Sequence, residues 1–287
     1  MPSLIDIRRR VRSVKNTQQI TKAMKMVSAA KLRRAQDRAL AARPYATMLK
    51  QMLANVAEAA SQSGGEGTSH PLLAVRPEQR ILLVVVTADS GLAGGFNANL
   101  LKLAQRFADT HRNAELSFEL IGKKGINYFR KREVKIAGAH TDKFRTVKFE
   151  DSQLIADSII ARFEKGEIDA VYLFSNEFKS VMAPTLAQTR ILPIEVPKSA
   201  GTIDYIYEQK PEELLGSLLP RYVRLLVYRA ILESVAAEHA ARMTAMDAAT
   251  SNASDVIDKL TLLMNRVRQA AITREIIEIV SGAAALD

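Results

Sequence analysis

The chain contains no cysteine, so neither a disulfide nor a thiolate metal site can form. It also lacks a long hydrophobic run, because the longest one, Ile81–Val86, is far too short to span a bilayer. The amino terminus, MPSLIDIRRR, lacks the apolar core of a signal peptide. The four histidines are scattered without metal-ligand spacing, and no nucleophile motif is present. These absences predict no metal site, no catalytic residue and no cofactor, and they predict membrane contact only through partners.

Negatively charged side chains are scarce in the first sixty residues of the chain. Residues 1–60 hold 13 Lys and Arg against 3 Asp and Glu, which equals the whole net charge of +10. Such a basic segment favours an acidic partner, which is a nucleic acid, an anionic lipid or an acidic protein surface. No aromatic side chain alternates with these cations, so the segment lacks a stacking platform for bases. We therefore expect no nucleic-acid partner.

The first sixty residues carry a helical pattern over residues 3–58. Ser3 can cap the helix, with Asp6 three residues later as the matching acid. A stripe with spacings of three and four contains Leu4, Ile7, Val11 and Val14, and it resumes with Ile20, Met24 and Val27. Because a proline lacks the backbone N–H, Pro44 predicts a bend near residues 41–43.

The last third of the chain carries the longest pattern. Between residues 211 and 282 the only proline is Pro220, and the only glycine before Gly282 is Gly216. One helix over this range would measure about 100 Å. Its seam, with strict three- and four-residue spacing, is typical of a helix packed along its length on another helix. The seam contains Tyr222, Leu225, Arg229, Leu232, Ala236, His239, Met243, Met246, Thr250, Ala253, Ile257, Leu260, Met264, Val267 and Ala271.

The middle of the chain alternates between strand and helix patterns. Residues 61–71 have the composition of a linker. The predicted strands are 81–88, 116–121 and 168–175, with strand-like stretches at 179–184 and 189–196, and the predicted helices are 97–111, 122–132 and 151–166. This alternation predicts a Rossmann-like α/β domain with a mostly parallel sheet covered on both faces, inserted between two long helices.

The predicted domains are an amino-terminal coiled-coil helix at 1–60, an α/β domain at 61–208 and a carboxyl-terminal coiled-coil helix at 209–287. Because the middle domain joins the end of the first helix to the start of the second, paired helices must be antiparallel. Residue i then lies opposite residue 269 − i. About twenty residues of the second helix are left without a partner, and this tip is apolar on more than one face. Either it folds back on the α/β domain or other subunits enclose it.

A glycine-rich loop, TADSGLAGGFN at residues 87–97, follows the first strand. Such a loop can bind phosphate through backbone donors. It contains neither the GK[ST] nor the G-x-G-x-x-G fingerprint, so a tight turn is the favoured interpretation of Gly91, Gly94 and Gly95.

Three long motifs resemble the gamma subunit of F-type ATP synthases, and the bacterial form in particular. They are NTQQITKAMKMVSAAKLRRAQ near the start, SGLAGGFN in the middle, and EHAARMTAMDAATSNASDVIDKLTLLMNRVRQAAITREIIEIVSGAAAL at the end. The resemblance implies a central rotor shaft that couples rotation of the c ring to catalytic sites in beta subunits. The implied partners are a hexamer of alpha and beta subunits, the epsilon subunit and the c-subunit ring. The implied location is peripheral, at the cytoplasmic face of the bacterial inner membrane.

The resemblance also implies roles for individual residues. Lys22, Met24 and Lys25 would face an acidic loop of beta, and Gly94 and Gly95 would lie near a beta subunit. Arg268, Gln269, Thr273 and Glu275 would contact the hexamer, and Tyr205, Tyr207 and Glu208 would form a foot over the c ring. The apolar tip, with Ile276 and Val280, would lie inside the hexamer. A DNA-binding coiled coil and a nucleotide-binding enzyme remain as alternatives, but the exposed apolar tip disfavours the first and the missing fingerprints disfavour the second.

Overall fold

The structure is a computed structural model, and it describes residues 3–62, 70–144, 146–180, 184–196 and 208–284. The helices and strands follow the chain in this order: α1 (Leu4–Gln62), β1 (Arg80–Val86), α2 (Phe96–Thr110), β2 (Glu115–Ile121), α3 (Lys123–Phe129), β3 (Lys135–His140), α4 (Phe149–Glu164), β4 (Ala170–Phe178), β5 (Pro184–Leu192) and α5 (Pro211–Ala284). Two short 3-10 helices lie at Pro71–Leu73 and Arg130–Arg132.

The chain divides into two compact units. The coil unit consists of residues 1–28 and 243–287, and the sheet unit consists of residues 29–242. The helices α1 and α5 each contribute to both units. The three-domain division at residues 60 and 208 stays a prediction.

The sheet unit is built on five strands in the order β3-β2-β1-β4-β5. The first four strands are parallel, and β5 pairs antiparallel with β4. All residues of Ile81–Val86 in the central strand are fully buried, which shows that the sheet is covered on both faces. The mostly parallel α/β fold is therefore confirmed.

One strand escaped the sequence analysis. The edge strand β3 has the sequence KIAGAH, which contains no apolar run, and most of its residues are only partly buried. Position 138 of this strand requires glycine, because the Cβ atom of any larger residue would come within 2.0 Å of Glu119 Oε1. Glu119 itself is buried and accepts a hydrogen bond of 2.6 Å from His140 Nε2, with Arg162 Nη2 3.2 Å from its other oxygen.

Several predicted boundaries also needed correction. Residues 61 and 62 belong to α1 and not to a linker, and the first strand ends at Val86 and not at residue 88. In the stretch 179–184 the strand prediction was wrong at residues 179 and 180, which are irregular, whereas Pro184 begins β5 and residues 181–183 lie outside the described residues. The helix α1 continues through Pro44 without interruption, so the bend stays a prediction. Ser3 caps α1, since Asp6 N donates to Ser3 Oγ over 3.2 Å.

Candidate interaction site

The coil unit contains two antiparallel helical segments held in one register. Thr21 Oγ1 lies 2.8 Å from Thr250 Oγ1, and Lys25 Nζ donates to Asp247 Oδ1 over 2.5 Å. In these two pairs, residue i of α1 lies opposite residue 271 − i or 272 − i of α5, whereas the sequence predicted residue 269 − i. The antiparallel coiled coil is confirmed, with a shift of two to three residues.

The seam of α5 is confirmed in this unit. Between residues 246 and 267 its members are buried or half-buried, and most of their neighbours are exposed. On α1, Leu4, Ile7, Val11 and Val14 follow the prediction.

The resumed stripe on α1 was wrong at Ile20 and Val27, which are 59% and 54% exposed, whereas Met24 is half-buried as predicted. The positions that continue the seam are Gln18, Thr21, Met24 and Ser28. The three-four spacing therefore continues without a break, but it passes through polar residues. Apolar side chains alone gave the wrong phase of the helix here.

The two predicted cations differ in their surroundings. Lys22 is exposed and has no ion pair with any residue in the described part of the chain. Lys25 pairs with Asp247, and the two side chains are 42% and 61% exposed. Such a solvated pair contributes at most about 1 kcal/mol, so Lys25 remains available to exchange Asp247 for an acid on a partner. Met24 lies beside them and is half-buried.

The end of α5 has no packing partner within its unit. Every residue from 268 to 281 is exposed, and the helix is unbroken to Ala284. Ile276 and Val280 are 55% and 61% exposed. The predicted contact residues Arg268, Gln269, Thr273 and Glu275 lie on the same segment. The tip thus forms an apolar surface with interspersed polar side chains, which is what a protein interface requires.

The glycine-rich loop lies in the sheet unit, where α5 holds it. Gly94 has a positive φ of 53°, and Gly95 is the N-cap of α2, so the expected turn is confirmed. Arg242 Nη2 donates to Ser90 Oγ over 2.6 Å and to Gly91 O over 3.1 Å.

This arginine also donates to the buried Glu238, one helical turn away. Burial lowers the pKa of the neighbouring His239, which keeps the imidazole neutral beside the Arg242 guanidinium. Sequence reasoning missed the Arg242–Glu238 pair. The available signal was an acid and a base four residues apart, a spacing that α5 repeats at Arg229 and Glu233.

The remaining predicted residues lie near the start of α5. Glu208 is exposed, whereas Tyr205 and Tyr207 lie outside the described residues. Thus the structure places nine of the predicted contact residues in the coil unit and three in the sheet unit.

Two classes of site are not seen in the described ranges. Within them, no three His, Asp or Glu side chains are grouped so that they could hold a metal ion. Also within them, no helix has both the length and the apolar composition needed to cross a membrane.

Comparison with known proteins gives a consistent result. A family described as ATP synthase matches residues 3–286. The ATP synthase gamma chain of Solibacter usitatus is 62% identical over the full length of both chains, and that of Anaeromyxobacter sp. (strain Fw109-5) is 50% identical, also over both full lengths. The chain therefore belongs to the gamma-chain family of ATP synthases.

Solved structures agree on the fold. A chain from the central stalk and c-ring structure of the Tetrahymena thermophila mitochondrial ATP synthase matches with a TM-score of 0.63 and 25% identity, covering 80% of this chain and 99% of that one. A chain from the Euglena gracilis mitochondrial enzyme matches with a TM-score of 0.68 and 18% identity, covering 99% and 94%.

Proposed function

We propose that the protein is the central rotor shaft of a proton-translocating F-type ATP synthase and couples rotation of the c ring to the catalytic sites of beta subunits. Membership of the gamma-chain family supports this role. The single observation that carries it is the apolar tip of α5, which is exposed on all sides in the chain by itself. An apolar helix that is exposed all round needs a surrounding sleeve, and a hexamer of alpha and beta subunits supplies one.

The protein contributes no catalytic group in this proposal. The loop after β1 lacks the lysine and the Ser/Thr that hold phosphate and magnesium in nucleotide-hydrolysing loops. The two hydroxyl groups of the loop are engaged within the chain, because Thr87 Oγ1 donates to Ile121 O over 2.9 Å and Ser90 Oγ donates to Glu238 Oε1 over 3.0 Å. Catalysis therefore takes place in the beta subunits, and the shaft determines which of them changes state.

Each predicted surface then has an assigned partner. The coil unit, with Lys22, Met24 and Lys25 and with the segment from Arg268 to Val280, contacts the hexamer. Gly94 and Gly95 lie near a beta subunit. The sheet unit contacts epsilon and the c ring, with Glu208, Tyr205 and Tyr207 as the foot. The protein is then peripheral, on the cytoplasmic face of the bacterial inner membrane, with coiled-coil segments 1–60 and 209–287 around the domain 61–208.

The tip allows a direct test. In a variant with Ile276→Asp and Val280→Asp, the isolated chain keeps its thermal unfolding temperature, because neither side chain packs on the chain. The same variant assembles poorly with alpha and beta subunits, since each aliphatic side chain buried in the hexamer contributes roughly 1.5–3 kcal/mol. The measurements are thermal unfolding of the isolated chain and recovery of the reconstituted complex.

A matched control is Leu154→Asp, which changes another exposed aliphatic residue, 72% exposed on α4 in the sheet unit. It should leave assembly with alpha and beta unchanged. Normal assembly and coupling of the tip variant would refute the proposed sleeve.

A further inference from the structure

The sheet unit contains a cavity of about 460 Å³ that no part of the rotor function uses. Asp89 and Ser90, which follow β1, line it from one side, together with Asp142 and Phe144, which follow β3. The cavity therefore lies outside the carboxyl ends of two parallel strands.

The order of the strands in the sheet favours ligand binding at this edge. From β1 the chain proceeds to β2 and β3 on one side, whereas β4 pairs with the other side of β1. The direction of strand order therefore reverses between β1 and β4, and the cavity reaches this point from the β1 side, through Asp89 and Ser90. In open α/β sheets the crevice outside the carboxyl ends of the strands at such a point is the usual place for a small ligand.

Three of the cations that line the cavity are unpaired within the described residues, whereas Arg242 is engaged with Glu238, Ser90 and Gly91. Lys31, Arg34 and Arg38 recur at intervals of three and four residues on one face of α1, and all three are exposed. Across the described ranges of the chain, none of them forms a hydrogen bond or an ion pair.

The acids that line the cavity are already engaged. Asp142 pairs with Lys123 over 2.9 Å, and Glu238 pairs with Arg242. Asp89 Oδ1 accepts a hydrogen bond of 3.0 Å from Lys123 N, and its other oxygen is buried without a hydrogen-bond partner. The cavity thus has three free positive charges and one unsatisfied acceptor.

We propose that this cavity binds a small phosphate-bearing molecule, held by Arg34, Arg38 and Lys31. Guanidinium groups match the geometry of phosphate oxygens and bind them through paired charge-assisted hydrogen bonds. The lining also contains the buried side chains of Phe144, Leu232 and Val235, which suit the apolar part of such a ligand. This site is separate from the shaft surfaces, so its failure would leave the rotor function intact.

A small ligand is favoured over an acidic peptide because charged and apolar side chains together line one cleft of ligand size. Three probes distinguish a small phosphate ligand from an acidic peptide by whether they bind. Inorganic pyrophosphate supplies the phosphate group alone, ADP adds an apolar body, and a glutamate-rich peptide supplies carboxylates.

Titration calorimetry of the full chain at low salt tests the assignment. Pyrophosphate should bind, ADP should bind more tightly, and Arg34→Gln should weaken both by about tenfold. Asp89→Asn should tighten both, because it removes a negative charge and keeps the oxygen that accepts from Lys123 N.

The matched control is Arg33→Gln, which removes the same charge from the adjacent exposed residue of α1 that does not line the cavity. It should leave both affinities unchanged. The proposal is wrong if neither phosphate compound binds at millimolar concentration, if Arg33→Gln and Arg34→Gln weaken binding equally, or if only the acidic peptide binds.

Discussion

The sheet unit and the coil unit bury very different side chains. In the sheet unit the central strand is buried along Ile81–Val86 and is surrounded by large apolar residues such as Phe118, Phe129 and Phe174. In the coil unit the buried residues in the described part are Ile7, Thr21, Ser28, Met246 and Ala253. Two of these five carry a hydroxyl group.

This difference shows how the same two helices serve two purposes. Where α1 and α5 belong to the sheet unit, residues such as Leu32, Leu53, Val223 and Val227 are buried and stabilise a fixed core. Where they belong to the coil unit, the buried contact is narrow and partly polar, and the apolar side chains at the end of α5 stay exposed. Buried apolar packing, and with it stability, is therefore concentrated in the sheet unit.

The largest expected effect comes from truncating the sheet core. Phe174→Ala should lower the free energy of unfolding by about 3–5 kcal/mol, because it removes a fully buried ring and leaves a cavity. Met264→Ala on the coil seam should cost less than about 1 kcal/mol, since Met264 is only partly buried. Urea unfolding of both variants measures the difference. Equal losses would show that the coil is packed as tightly as the sheet.

An intermediate effect is expected at the start of the sheet. Asp169 is 3% exposed, and Arg80 donates to both of its oxygens, which lowers the pKa of the Asp169 carboxyl. The contribution to stability is therefore full above about pH 4, the pKa of an unfolded Asp, and it is lost as the pH falls through the lower folded value.

Asp169→Asn should cost about 1–3 kcal/mol at pH 7, and the difference from the unmodified chain should shrink below pH 4. Asp109→Asn is the matched change at an exposed pair with Arg112, and it should cost less than about 0.5 kcal/mol. The measurement is urea unfolding at a series of pH values. A cost at Asp169 that does not change with pH would contradict the assignment.

The smallest effect concerns the hydroxyl pair of the coil unit. Thr21→Val alone breaks the 2.8 Å contact with Thr250, and Thr250→Val alone does the same. In the double variant two valines face each other, and no hydroxyl group is left without its partner. The double variant should therefore lose about 0.5–1 kcal/mol less stability than the sum of the two single variants. Hydrogen exchange of the amides at 18–28 and 243–253 reports it as local opening.

Thr17→Val is the control for this pair. The Thr17 hydroxyl is exposed and donates to Ser13 O within its own helix, so exchange should be unchanged. Strictly additive effects of Thr21→Val and Thr250→Val would show that the hydroxyl pair does not hold the register.

The sequence predicted the features that depend on long, regular patterns. The antiparallel pairing, the seam of α5 and the parallel sheet were all predicted, because each rests on many residues with one period. Ile20 and Val27 were misplaced because hydrophobicity alone does not show which of two possible stripes faces the partner. Thr21 and Ser28, which are compatible with either environment, fill the seam there.

The missed features depend on contacts between distant residues. The strand β3 is short, lies at an edge and contains Gly138, so it lacks the alternation of a half-buried strand. The link from Arg242 to Ser90 and Gly91 joins positions about 150 residues apart, and no local pattern indicates it. The exposure of the tip was predictable, because the antiparallel pairing left those residues without a partner in the chain.

Gly138 and Glu119 have a consequence for how this family can vary. The carboxylate of Glu119 occupies the space that a side chain at position 138 would need, so the two positions share one volume. Substitution at either position is then constrained by the other over evolutionary time. Homologues that carry a larger residue at the position of Gly138 should carry a residue shorter than glutamate at the position of Glu119. They should also have a different partner for the histidine at the end of β3. The two sites should therefore change together, as a covarying pair.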